Sequence, residues 1–162
     1  MGIVLARIDS RLIHGQILEA WVPHVQADCI VVANDAAAQA PLQRMIMQAA
    51  VPSGIRLEID TLAEAARLLS STELSGKRTL LLFASSADAL QACRLGIVFG
   101  KLNLGNMHAA EGKCRYSCTI ALDQNDIDNL HEVEARGVTV VSQCVPGDRE
   151  QGWRTLVREG AP

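Results

Sequence analysis

Six short apolar runs, each set off by a helix-patterned stretch or a turn, restrict this chain to few architectures. They are IVLARI (Ile3 to Ile8), CIVVA (Cys29 to Ala33), RLEI (Arg56 to Ile59), TLLLF (Thr79 to Phe83), YSCTIAL (Tyr116 to Leu122) and VTVVSQCV (Val138 to Val145). Between them, apolar residues return every three or four positions, as in Ile17, Leu18, Trp21, Val22 and Val25, or Ile127, Leu130 and Val133. Most of the runs are apolar on both faces, as expected of strands in a parallel sheet covered by helices. Aromatics are only 3% of the chain, so Val, Ile, Leu and Ala must fill the core. The expectation is an α/β fold: an open, mostly parallel β-sheet flanked by helices, in a single domain over residues 1–162.

The punctuation agrees. Thr61 and Glu64 have capping-box spacing ahead of TLAEAARLLSS, and Ser86 and Asp123 are the expected caps of two further helices. Pro41 sits near the start of a helix through Leu42, Met45, Ile46 and Ala49, Asn34-Asp35 reads as a turn, and Gly137 ends a helix. Pro23 should kink or shorten the helix that begins near Gly15. Between Gly96 and Gly112 the pattern weakens, and residues Trp153 to Val157 suggest a last short helix.

Fifteen Lys and Arg against eighteen Asp and Glu give a net charge of −3, which argues against a broad nucleic-acid footprint. The five cysteines lack zinc-site spacing and His131-Glu132 does not open an HExxH motif, so no metal site is expected. A nucleotide-binding module is disfavoured too: Gly76-Lys77 and Gly112-Lys113 are not followed by Ser or Thr, and no GxGxxG follows the first strand. No signal-peptide pattern or run of membrane-spanning length occurs, so a cytoplasmic chain is expected, without direct membrane insertion.

In open α/β sheets, ligands bind at the carboxyl ends of the strands. There, at the end of the first strand, stands RIDSRLIHGQ (Arg7 to Gln16). A helix starting near Gly15 directs unpaired N–H groups and its positive dipole end at this loop. Gly15 permits close approach of an anion, and Arg7 and Arg11 bring guanidinium donors suited to phosphate oxygens. An imidazole here, His14, is a nucleophile beside a cradle for a phosphoryl group. Asp9 would repel that group directly, so its expected task is to hold an arginine or loop N–H groups. Alternatives stay open on the residues alone: His14 as a helix-capping or surface histidine, and Arg7 turned away from the loop by strand alternation.

RIDSRLIHGQI, followed by AWV, closely resembles the phosphorylation loop of IIB components of the mannose-family sugar phosphotransferase system, typically R-I/V-D-D-R-L-I-H-G-Q-V. NLGNMHAAEGK (Asn103 to Lys113) resembles that family's GNMH segment and the GK after it, and TLLLF with Asp88-Ala89 falls where the family has a similar strand and helix. The resemblance covers essentially the whole chain. It departs at Ser10, where aspartate is usual, and at Pro23, where a helix normally continues.

The resemblance implies a phosphohistidine carrier that takes a phosphoryl group from a IIA protein. It would pass the group to a sugar, usually a hexose, during uptake through membrane IIC and IID partners, with no cofactor. His14 would be the acceptor and donor, with Arg11 on the phosphoryl oxygens and Asp9 orienting the loop. Gly15, Gln16 and Arg7 would bind phosphate, and Asn106 and His108 would lie at the rim. His24 and His131 are expected to be ordinary surface residues, and Leu12 and Ile13 to offer exposed apolar surface for IIA. The alternative is a regulatory phosphorelay with the same histidine chemistry and no sugar transport.

Overall fold

A computed structural model describes residues 2–160. Its main sheet has seven strands: β1 (Gly2–Asp9), β2 (Cys29–Ala33), β3 (Arg56–Asp60), β4 (Arg78–Phe83), β5 (Lys101–Asn106), β8 (Thr139–Ser142) and β9 (Gln151–Gly152). A separate two-stranded piece pairs β6 (Cys114–Arg115) with β7 (Ala121–Leu122). The order across the main sheet is β3-β2-β4-β1-β5-β8-β9. Every pairing in it is parallel except that of β9 with β8. The open, mostly parallel α/β sheet expected from the sequence is therefore the fold.

Helices cover both faces. One carries α1 (residues 15–25), α2 (Asp35–Ala38) and α3 (Pro41–Ala50). The other carries α4 (Leu62–Ser70), α5 (Ser86–Arg94), α6 (Gln124–Ala135) and α7 (Trp153–Gly160). Strand alternation divides the core accordingly: Ile30, Val32, Leu80 and Leu82 meet the first layer, and Ile8, Val31, Leu81, Phe83, Leu102 and Leu104 meet the second.

Local chemistry sets the helix ends. Thr61 and Glu64 form the expected capping box, and Asp123 forms another with Asp126. Two expectations about helix ends are corrected. Asn34 is not a turn residue but the N-cap of α2, its side chain accepting from the Ala37 N–H. Ser85, not Ser86, caps α5, because Ser85 has the extended backbone a cap requires and accepts from the Asp88 N–H. Ser86 is buried and donates to Asp126 Oδ1 at 2.6 Å, tying α5 to α6.

Pro23 neither ends nor breaks α1. It lacks the N–H that would bond the Glu19 carbonyl, and the helix widens into a π-helical stretch, Ile17–Trp21, where the Val22 N–H bonds the Ile17 carbonyl instead. Gln26, at φ +52°, stops the helix. The weakly patterned stretch after Gly96 contains β5, an interior strand, while YSCTIAL contributes only β7, because the N–H groups of Tyr116 and Ser117 both turn back onto the Ile120 carbonyl.

Candidate functional site

Because β1, β4, β5 and β8 run parallel, their carboxyl ends lie at one pole, and the loop after β1 lies among them. The β1–β5 register slips there: Ile8 faces Leu104 and Asp9 faces Asn106, leaving Gly105 as an extra residue on β5. Ser10 closes the gap twice, its N–H on the Asn106 carbonyl at 2.9 Å and its hydroxyl on Asn106 Oδ1 at 2.7 Å. The Leu12 N–H returns to the Asp9 carbonyl, and Leu12 adopts φ +57°. That turn sends the Leu12 side chain into the core at 2% exposure, so it is not the exposed docking residue expected from the sequence. Ile13 is half-buried, and the exposed apolar surface of this layer lies on α3, at Leu42, Met45 and Ile46.

His14 occupies the start of α1, its carbonyl accepting from the Leu18 N–H. Its Nε2 lies 3.0 Å from Asp9 Oδ2. Asp9 is fully buried and also accepts from the Arg11 N–H at 3.1 Å, with Arg7 Nη2 at 3.6 Å and Arg11 Nε at 3.5 Å. Burial alone would raise the Asp9 carboxyl above the usual range. The hydrogen bond and charge of His14, the Arg11 N–H and the Arg7 cation outweigh it and hold the group below that range. An ionised carboxylate only accepts, so Nε2 must carry a proton, and in the neutral ring it is Nδ1 that keeps the lone pair. Among the described residues nothing hydrogen-bonds Nδ1.

The surroundings of that lone pair are electropositive. Arg11 is about half exposed, and its Nη2 is held by Gln16 Oε1 at 3.3 Å. Gln16 Nε2 reaches Cys144 Sγ at 3.7 Å, so the Gln16 amide spans from Arg11 to the segment after β8. The N–H groups of Gly15, Gln16 and Ile17 find no backbone partner among the described residues, as at any helix start. A Cβ on Gly15 would meet nothing within 4 Å, so the space beside its Cα is open. A nucleophilic nitrogen on a loop that carries one half-exposed guanidinium and opens into a helix start with three N–H groups free of backbone partners suits an acceptor for a phosphoryl group.

Arg7 departs from the expected role. β alternation puts it on the α1 face, fully buried, with Nη1 on Asn103 Oδ1 and the Gln143 carbonyl (2.8 Å) and Nη2 on the Cys144 carbonyl (2.9 Å). Both terminal nitrogens are thus taken by acceptors inside the protein, and the side chain is closed off from the surface. Burial lowers its pKa to about 10 against the opposing pull of Asp9, so it stays a cation at neutral pH. Asn106 is half-buried and accepts from the Ser10 hydroxyl, and it lines a cavity of about 180 Å³ together with the exposed His108 and with Met107, Arg115 and Cys118. His24 and His131 are exposed, as expected. Asn103, Gly105, Gln143, Cys144 and Trp21 complete the surroundings of the loop; the family-like segments NLGNMH and AWV contain Asn103, Gly105 and Trp21, while no motif contains Gln143 or Cys144.

Comparison with known proteins decides the family. Residues 3–161 match the family model of the phosphotransferase-system (PTS) sorbose subfamily IIB component. The chain belongs to this family of sugar phosphotransferase IIB components. It is 35% identical over 145 residues to the N-acetylgalactosamine-specific phosphotransferase enzyme IIB component 2 of Escherichia coli K12, covering 90% of this chain and 92% of that one. It is 28% identical to the mannose-specific EIIAB component of the same organism, spanning 97% of this chain and 49% of that protein. The crystal structure of the IIBSor domain of the sorbose permease from Klebsiella pneumoniae superposes with a TM-score of 0.93, at 29% identity and 99% coverage of both chains.

As a IIB component the chain belongs to the machinery of sugar phosphorylation and uptake. Among the described residues, no helix is long and apolar enough to cross a membrane, and no group of three His, Cys, Asp or Glu could hold a metal.

Proposed function

We propose that this IIB component carries a phosphoryl group on Nδ1 of His14, receiving it from a phosphohistidine of a IIA protein and passing it to a sugar hydroxyl. The observation that carries this reading is the pairing of His14 Nε2 with the buried Asp9 carboxylate, which leaves Nδ1 as the open nucleophile. In the first step the bond from phosphorus to the donor imidazole breaks as the bond to His14 Nδ1 forms in line. The Nε2 proton stays on the ring, held toward Asp9, whose carboxylate balances the positive charge the ring takes on. Arg11 and the α1 N–H groups hold the equatorial oxygens as charge develops there. Leaving imidazole and attacking imidazole are chemically alike, so the transfer needs positioning more than driving force.

The acceptor class is a hexose or a related sugar, in keeping with relatives named for N-acetylgalactosamine, mannose, fructose and sorbose. The chain would work at the cytoplasmic face, against membrane IIC and IID partners that hold the sugar. The test is phosphate incorporation from phosphoenolpyruvate through enzyme I, HPr and a IIA protein into wild type, His14→Ala and His108→Ala. Acid-labile label should appear in wild type and His108→Ala and vanish in His14→Ala. Label that survives in His14→Ala would overturn the assignment.

A further inference from the structure

Arg7 sits directly under the His14 loop yet offers nothing to its outer face. Three observations define what it does instead. The guanidinium carbon lies 4.7 Å from the centre of the Trp21 ring, so the cation stacks on a side chain of α1, the element after His14. On its other side is Gly105, the extra residue of β5: a Cβ built there would overlap the guanidinium itself. The Cys144 carbonyl accepts from both Arg7 Nη2 at 2.9 Å and Trp21 Nε1 at 3.1 Å. One acceptor beyond β8 is thus shared by the arm before His14 and the arm after it.

We propose that Arg7 is a positioning residue of phosphoryl transfer: a buried cation, clamped between Gly105 and Trp21, that fixes both arms of the His14 loop to β5 and to the segment after β8. The proposal rests on the carrier reading of His14, which it deepens by naming what holds the nucleophile in line. Arg7 contacts no phosphoryl oxygen. It acts through Asp9, whose Oδ2 lies 3.6 Å from Nη2 and 3.0 Å from His14 Nε2, and through Trp21, which anchors the helix that His14 begins. A planar fork is required, because Asn103 and the carbonyls of Gln143 and Cys144 are met by two different nitrogens of one rigid group. A lysine would keep the charge and lose the fork.

The closing experiment compares wild type with Arg7→Lys, Gly105→Ala and Trp21→Phe on the full chain. One readout is phosphorylation by phosphoramidate, a small donor that needs no docking surface, followed by phosphorus NMR. The other is nitrogen NMR of the His14 ring without any donor, which reports the tautomer directly. A nucleophile misplaced by an ångström loses about 100-fold in rate. Loss on that scale is expected in Arg7→Lys and Gly105→Ala, with the donor concentration at half-maximal rate moving less than about threefold. The His14 signal should change from the Nε2–H form to a mixture of tautomers.

Trp21→Phe keeps the stacking surface and loses only one donor, so it should show the same effects in milder form. It carries the test if the other variants do not fold. Overturning results are a folded Arg7→Lys with wild-type rate and tautomer, or one whose loss lies in donor affinity alone, which would make Arg7 a phosphate ligand. Failure of the carrier reading looks different: wild type takes up no phosphate on His14, while the tautomer comparison still reports on Arg7.

Discussion

Replacing Asp9 by asparagine keeps the shape of the buried side chain and reverses one property: a carboxylate only accepts, whereas an amide can also donate. Asp9 Oδ1 takes the Arg11 N–H at 3.1 Å and Oδ2 faces His14 Nε2 at 3.0 Å. In Asp9→Asn the amide oxygen stays with the Arg11 N–H, and the NH2 group then faces the ring. A donor opposite Nε2 selects the tautomer with the proton on Nδ1, the atom that must attack phosphorus. The orienting carboxylate is also gone when the ring acquires charge. Such substitutions at histidine–carboxylate pairs cost about 10²- to 10⁴-fold in rate, and we expect Asp9→Asn to fall in that range. Folding should weaken by about 1.5–3 kcal/mol, the worth of hydrogen bonds to a charged group. Single-turnover phosphorylation of His14 measures the first quantity, and urea unfolding at pH 7 the second. A variant that folds, shows the Nδ1–H tautomer and still transfers at the wild-type rate would refute the assignment of Nδ1.

The same carboxylate makes a pH prediction. Its folded-state pKa lies below the ordinary aspartate value, so its contribution to stability is complete above that value and disappears as pH falls through the lower, folded one. The stability gap between wild type and Asp9→Asn, followed by urea unfolding, should therefore be largest near neutrality and close in acid; a gap that widens in acid would contradict the linkage. Leu12→Asp places a charge at a site 2% exposed, and should lower stability by at least about 3 kcal/mol, read as a fall in melting temperature. An unchanged melting temperature would return Leu12 to the role of surface docking residue. Thr61→Ala removes one half of the α4 capping box, far from the loop, and should cost about 1 kcal/mol in unfolding while leaving phosphoryl transfer unchanged.

The fold was legible because the strands of a parallel sheet are apolar on both faces, and CIVVA and TLLLF are buried throughout. β5 was not legible because its sequence, KLNLGN, gives two positions to requirements other than pairing. Asn103 directs its side chain at Arg7, and Gly105 gives up its own to make room for the same group. Asparagine and glycine are poor strand formers, so the residues that build the site also erase the strand signal. YSCTIAL yields only the two-residue β7 for the opposite reason. Its composition suits a strand, but the turn of Tyr116 and Ser117 onto Ile120 consumes the backbone donors that a strand would offer.

Within the site the division is one between chemistry and placement. An imidazole, an arginine and a helix start lie within the span from Arg11 to Ile17, so the nucleophile and its electropositive surroundings are visible in the local sequence. What fixes them is not: Arg7 meets partners 96, 136 and 137 positions away. Those partners become neighbours only because the sheet order sets β1 beside β5 and β5 beside β8, with all three running the same way. A transfer between two similar imidazoles has little driving force, so its rate depends chiefly on how well the accepting nitrogen is held. The long-range partners of Arg7 therefore belong to the catalytic argument as much as His14 does, and substitutions at Gly105 or Trp21 should be felt at Nδ1 although neither residue touches the phosphoryl group.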